Sequence, residues 1–296
     1  MKNQKKATFL AICTILCWST IASAFKIALS YTSFTFVLLY AAFTSFLFLT
    51  IYLIISGKLK QVFSCSIRGY LYSALMGFLN PFLYYLILLK AYSLLPAQEA
   101  LTLNYMWLVM LVLLSIPLLK QKISLLSFLA ILVSYFGVVV IATRGDVAAL
   151  NFTNLDGALL AMLTTVIWAL FWILNMKDKR DELVKLFLCF FFGFIFILAY
   201  ILCTEPFIIP EWRGITASAY VGMFEMGLPF VLWLRALQLS ETTARISNLV
   251  FITPFLALIL VYFILGEELY TSTFVGLILI LGGILLQKIF SPKLQS

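Results

Sequence analysis

Three ionisable side chains stand inside otherwise apolar stretches of this chain: Glu99, Glu225 and Arg245. A charge in such surroundings costs several kcal/mol, so it faces a cavity or a partner. Glu225, Pro229 and Trp233 follow one another at i, i+4 and i+8 and share one helical face. Asn80 and Tyr84 form an equivalent stripe earlier in the chain. Trp18 leads into a face of Ser19, Ser23 and Lys26. Ala100, Asn104 and Trp107 lie on a fourth face, and Thr165, Trp168, Trp172 and Asn175 on a fifth. Such stripes build a lining that is aromatic with a few hydrogen-bonding groups, suited to a solute with a flat or apolar body and a charged end. The expected solute contacts are Trp18, Ser19, Asn80, Tyr84, Asn104, Trp107, Trp168, Trp172, Glu225 and Trp233. The expected gating or coupling residues are Glu99, Glu225 and Arg245.

Simpler readings stand beside these. Trp212 near a helix end reads as an interfacial anchor. Ser19, Ser23 and Thr165 can bond across helices, and Lys26 and Lys90 can reach headgroups. Gly276, Gly282 and Gly283 read as close-packing positions within the fold or at a dimer contact. The run Lys177 to Glu182 reads as a solvated loop that anchors topology.

Covalent chemistry finds little support. The chain has no histidine, which removes His-based triads and nearly all His metal sites. A GxxxxGK[ST] phosphate loop is absent, and acids and cysteines are not clustered at metal-ligand spacing. No catalytic residue, metal or cofactor is therefore expected. The five cysteines do not form a disulfide framework; Cys13 and Cys17 share a helical face, where packing is their expected role.

The elements that must carry these residues follow from composition. Of 296 residues, 64% are hydrophobic, 16% aromatic and 11% charged, against about 45–50% apolar and about 25% charged in soluble domains. This excludes a soluble enzyme, a nucleic-acid binder and a disordered chain. The net charge of +8 then reads as loop charge on one side of a membrane. The apolar runs are long and continuous rather than alternating, so they are helices and not barrel strands. Ten are expected, at 7–29, 33–55, 69–90, 97–119, 124–142, 155–176, 184–203, 214–237, 243–265 and 271–289. With the N-terminus in the cytoplasm, fourteen Lys and Arg fall inside and only Arg144 and Arg213 outside. Both termini are then cytoplasmic, and the first run is expected to span rather than to be a cleaved signal.

The sequence also repeats itself. Leu89-Lys90-Ala91 aligns with Leu234-Arg235-Ala236 at an offset of 145, which pairs Asn80 with Glu225. With one more residue, Gly137 meets Gly283, Gln121 meets Glu267 and Glu99 meets Arg245; at an offset of 150, Trp18 meets Trp168. Residues 1–146 and 147–296 thus form two five-helix repeats. An odd helix number makes them inverted, which places a site near the midplane between them, exposed alternately to either side.

The residues Cys17-Trp18-Ser19-Thr20, Leu103-Asn104-Tyr105-Met106-Trp107, Thr253-Pro254-Phe255, Gly266-Glu267 and Gly282-Gly283 give the chain a resemblance to the drug/metabolite transporter superfamily, and within it to the ten-helix EamA-type members. The Trp-Ser-Thr and Asn-Tyr-x-Trp pieces resemble the aromatic amino-acid exporter branch. Two positions depart from the family pattern: Leu108 stands where a proline is common, and Gln121 where the first repeat often has glutamate, while Pro254 and Glu267 keep it. The resemblance implies an all-α membrane protein that acts as a secondary active or facilitative transporter. The implied solute is a small metabolite, foremost an amino acid moved outward across a bacterial cytoplasmic membrane. The implied partners are that solute and the lipid bilayer, with no nucleic acid, and the implied state is a monomer or weak homodimer. Alternatives are an exporter of cationic drugs or other metabolites, a channel, a non-transporting subunit and, remotely, an intramembrane enzyme.

Overall fold

A computed structural model of the chain describes residues 2–119, 124–148, 154–241, 246 and 248–290. Among these residues there is helix and connecting turn but no strand. The rods are α1 (Gln4–Tyr31), α2 (Phe34–Ile55), α3 (Ile67–Leu94), α4 (Ala97–Leu118), α5 (Leu125–Ala142), α6 (Leu155–Lys177), α7 (Glu182–Thr204), α8 (Trp212–Leu239), α9 (Leu249–Leu265) and α10 (Thr271–Phe290). All but α9 are long and apolar enough to cross a membrane, and α9 is a shorter apolar helix. The chain is a multi-pass, all-α membrane protein with the ten helices expected, in the expected order. Backbone groups in lipid have no water to bond, so each rod closes its own hydrogen bonds. Polar side chains sit at the starts. Asn3, Ser66, Ser124 and Asp181 accept from free N–H groups at the N-termini of α1, α3, α5 and α7.

Half of the rods are not continuous. A turn at Thr20 divides α1. A wide turn at Phe78–Leu83 interrupts α3, where Asn80 adopts extended backbone (φ −151°, ψ 122°) before Pro81. An equivalent wide turn, Gly222–Gly227, interrupts α8 just before Pro229. Proline has no N–H and disfavours helix in the residue before it, which is the local cause at α3. The fourth rod is broken at Tyr105–Met106, even though Leu108 replaces the proline common there. A 3₁₀ turn, Asn248–Ile252, leads into the α-helical part of α9, which begins at Thr253 with Pro254 in its first turn. The sequence reading started this rod at 243. Residues 242–245 and 247 lie outside the described residues, Ile246 is helical, and the 3₁₀ turn passes into regular helix at Thr253.

The chain divides into two compact units. The first holds Met1–Leu89 and Asp178–Gly266, hence α1, α2, most of α3, α7, α8 and α9. Its helices approach closely at small residues. A Cβ on Gly193 of α7 would lie 2.4 Å from Pro81 Cδ, and one on Gly77 would lie 2.5 Å from the Cys189 carbonyl oxygen. Glycine at both positions lets α7 lie directly on the broken part of α3. Phenylalanines extend this contact to α2, with Phe46 and Phe194 stacked at 6.1 Å between ring centroids and 4° between planes.

The second unit holds Lys90–Lys177 and Glu267–Ser296, hence α4, α5, α6 and α10. Here α5 and α10 meet backbone to backbone. A Cβ on Gly137 would lie 2.7 Å from the Gly276 carbonyl oxygen, and one on Gly283 would lie 2.5 Å from that of Ala130. Ser134 of α5 donates to the Ile280 carbonyl across this seam (3.0 Å). Gly276 and Gly283 are therefore packing positions within the fold. Gly282, grouped with them on sequence, meets nothing within 4 Å.

Candidate functional site

The ionisable residue at the centre of the first unit is Glu225, carried on the broken turn of α8. Tyr85, completely buried on α3, donates its phenol to Glu225 Oε1 at 2.9 Å. Trp18 of α1 donates its indole N–H to the Glu225 backbone carbonyl at 3.3 Å. A wide turn loosens the regular i→i−4 pattern, and this carbonyl is bonded by a side chain from another helix. Further rings pack on these two partners. Trp18 lies 5.6 Å from Trp233 and 6.2 Å from Phe230 between centroids, and Tyr85 lies 6.5 Å from Phe25 and 4.7 Å from Tyr84. Among the described residues Glu225 takes part in no ion pair, and it is half-buried. An acid close to aromatic rings can hold an ammonium group by charge and by ring faces together.

Trp18, Tyr84, Glu225 and Trp233, all expected from sequence, are thus brought together, and they come from both sequence repeats. Ser19 is close in sequence but serves the backbone, donating to the carbonyls of Ile15 (2.7 Å) and Thr253 (3.5 Å). Asn80 stands at the break of α3, fully buried, with neither amide atom bonded to protein; its own carbonyl accepts from Cys189 Sγ at 2.8 Å. Sequence reasoning missed Tyr85 and Phe230. It placed Tyr84 beside Asn80 by ordinary i, i+4 spacing. The wide turn adds one residue to that turn of helix, so the i+5 residue Tyr85 takes the position facing Glu225. The same shift brings Phe230, five residues after Glu225, against Trp18. Tyr85 and Phe230 are themselves 145 residues apart, the offset of the duplication, and that signal was available.

In the second unit, Asn104 donates from Nδ2 to Thr164 Oγ1 at 2.9 Å. Trp168 stacks on Phe171 (5.4 Å, 15°) and meets Trp172 edge-on at 5.8 Å. The indole N–H of Trp172 is buried without a bonded partner. Trp107 is half-buried at the start of the second piece of α4. Glu99 is 1% exposed and accepts from Arg144 Nε at 2.9 Å, while the Arg144 guanidinium lies 4.5 Å over the Tyr270 ring. Next to it, Gln98 donates to the Glu268 carbonyl (2.8 Å) and accepts from Tyr270 N (3.0 Å) and Thr273 Oγ1 (2.9 Å). Glu267 Oε1 accepts from Ala97 N at the start of α4 (3.0 Å). Glu99 therefore belongs to a network that ties α4 to the segment before α10. Arg144 and Gln98, which complete it, were not singled out in the sequence. Arg245 and Gln121 lie outside the described residues.

The connection between α6 and α7 is only in part the solvated loop its charge run implied: Lys177 and Lys179 are exposed, but the charges beside them are bonded to protein. Arg180 donates to Asp178 (Nη2 to Oδ2, 2.6 Å), to the Gly69 carbonyl (2.8 Å) and to Ser73 Oγ (2.9 Å). Asp181 pairs with Lys58. Lys185 is 7% exposed and donates to the Asp178 carbonyl and to Glu182 Oε1, both at 2.9 Å. Burial pushes the Asp178 carboxyl up, but the Arg180 hydrogen bonds and charge, with the Lys185 charge, outweigh it and hold the group below its ordinary value. Asp181 behaves alike, with Lys58 and the amides of Val184 and Leu183 overcoming burial. The Asp178 hydrogen bond raises Arg180. Charges placed one after another in sequence are here folded onto the start of α3.

Among the described residues there is no group of three or more Cys, Asp or Glu side chains arranged to hold a metal ion. Comparison with known proteins agrees with the helical architecture. The profile of the EamA-like transporter family matches residues 5–143 and 155–287. A protein of Clostridium kluyveri named only as an uncharacterized transporter is 31% identical over 175 residues, which is 56% of this chain and 55% of that protein. The match thus spans about half the length of that relative. A crystal structure 20% identical in sequence superposes with a TM-score of 0.66 over 99% of this chain and 100% of its own, a likeness of fold. Two profile matches that between them cover nearly the whole chain settle the family: the protein belongs to the EamA-like transporter family.

Proposed function

We propose that this protein is a secondary transporter that moves small amphipathic metabolites, foremost amino acids with an aromatic body, outward across a bacterial cytoplasmic membrane by alternating access. Residues 1–146 and 147–296 act as the two inverted repeats, both termini lie in the cytoplasm, and the working unit is a monomer or weak homodimer. The observation that carries this reading is Glu225 on the broken turn of a membrane-spanning helix, its carboxylate bonded to Tyr85 and its backbone carbonyl to Trp18, on which Phe230 and Trp233 pack. Broken helices at corresponding places of two repeats are where carriers of inverted-repeat design bind their solutes. The acid takes the ammonium end and the rings take the apolar body. The same acid is the candidate coupling group. Of the titratable groups on α1 and α3, Tyr85 is bonded to it, Tyr84 packs on Tyr85, and Cys17, with Cys13 beside it, is near enough to feel its charge.

Counterflow in proteoliposomes tests this reading. Purified protein is reconstituted with aromatic amino acids first, then other amino acids, polyamines, nucleosides and cationic drugs, and uptake of labelled solute is followed. Saturable exchange of amino acids, reduced at least tenfold by Glu225→Gln, is the expected result. Preference for cationic drugs over amino acids moves the solute to the alternative class. Exchange by folded protein that Glu225→Gln leaves unaltered removes Glu225 from the site.

A further inference from the structure

The polar pole opposite Glu225 is missing from the site as described, and α3 offers a residue for it. Asn80 is 0% exposed, and neither its Nδ2 nor its Oδ1 has a hydrogen-bond partner in the protein. Buried amides are almost always bonded, and an unbonded one disfavours the state that contains it. Asn80 is also the residue whose extended backbone breaks α3. The next residue, Pro81, has no N–H to rejoin the helix. Five residues on, Tyr85 bonds Glu225. The duplication pairs Asn80 with Glu225 at 145 residues, and both stand within matching breaks, Phe78–Leu83 and Gly222–Gly227. One break thus presents an acid, the other a neutral amide with a donor and an acceptor to spare.

We infer that Asn80 is a specificity-determining residue whose carboxamide, held out of the site in this conformation, turns to the carboxylate end of a zwitterionic solute when the break in α3 rearranges. This inference rests on the proposed transport function and deepens it. Glu225 alone selects any aromatic amine; Glu225 with Asn80 selects an amine that also carries a carboxylate. Nδ2 donates to that carboxylate, and the unbonded state of the amide is relieved as the solute binds. The surroundings support a state-dependent role. Gly77 and Gly193 bring α7 so close to the break that side chains at either position would strike Cys189 or Pro81, so a rearrangement of the break is coupled to the position of α7.

The test compares L-tryptophan with tryptamine, which lacks the carboxylate, in counterflow by the wild type and by Asn80→Val. The melting temperature of each protein without solute is measured alongside. Valine is nearer to asparagine in volume than leucine, suits the extended backbone at this position and has no polar atoms, so Asn80→Val is expected to melt at or above the wild type. Its kcat/KM for L-tryptophan is expected to fall at least tenfold, with that for tryptamine within twofold of the wild type. A lower melting temperature would show that the amide is bonded in the resting state and overturns the inference. So does an equal loss for both solutes, or no loss for either. Wild-type protein that exchanges neither solute fails visibly at the control, and that result counts against the transport reading and takes this inference with it.

Discussion

Tyr85 and Asp178 are the two residues whose roles were least visible before the fold was known, and each yields a test. Tyr85 holds the Glu225 carboxylate from a fully buried position. A hydrogen bond to a charged group contributes about 1.5–3 kcal/mol, and ~1.4 kcal/mol is a factor of ten. Tyr85→Phe is therefore expected to lower kcat/KM for exchange about tenfold while the protein remains folded, as read from initial rates and a melting curve. Asp178 gives a prediction in pH. Its folded value lies below the ordinary one, so its contribution to stability is complete above the ordinary carboxylate value of about 3.9 and is lost as pH falls through the lowered value. The melting temperature of the wild type should fall below pH of about 4. Asp178→Asn should melt about 2–4 °C lower at neutral pH and show a smaller fall in acid. Part of the acid limb should persist, because Asp181 is lowered in the same way by Lys58. Glu225 was legible as an intramembrane acid with aromatic neighbours. Asp178 read as loop charge because nothing in a linear run of alternating signs shows that Arg180 reaches back to Gly69 and Ser73.

At the scale of elements, hydropathy placed ten rods, and their ends agree with the described helices within a few residues, the start of the ninth lying outside the described residues. Breaks within the rods were not legible to the same degree. Prolines 81, 229 and 254 mark three of them. The break of α4 at Tyr105–Met106 has no proline within it, and the width of a helical turn leaves no mark in composition. That one added residue exchanged Tyr84 for Tyr85 in the site. Packing between elements depends on glycines whose partners only the fold supplies. Gly137→Ala would put a methyl group 2.7 Å from the Gly276 carbonyl oxygen. Backbone must move to admit it, at a cost of about 1–3 kcal/mol, and a lowered melting temperature of the purified variant is the expected outcome. Gly282→Ala, on the facing helix α10 with nothing within 4 Å, is the control and should not lower the melting temperature.

At the scale of the whole molecule, the two halves of the sequence and the compact units partition the helices differently. The first unit gathers α1, α2 and most of α3 from the first half and α7, α8 and α9 from the second. Residues of both halves therefore meet inside one unit, and the Glu225 cluster is such a meeting. It contains Trp18 and Tyr85 from the first half and Glu225, Phe230 and Trp233 from the second. Family membership accounts for the ten-helix plan, and the proposed function draws its solute from the chemistry of this cluster. The most direct measurement of that claim is counterflow of labelled L-tryptophan by the wild type and by Glu225→Gln, reconstituted at equal density in identical liposomes. Saturable exchange by the wild type that falls at least tenfold in Glu225→Gln, with the variant melting normally, is the predicted result. Equal exchange by the two proteins would contradict the account, since the solute would then cross without the acid on which the site is built.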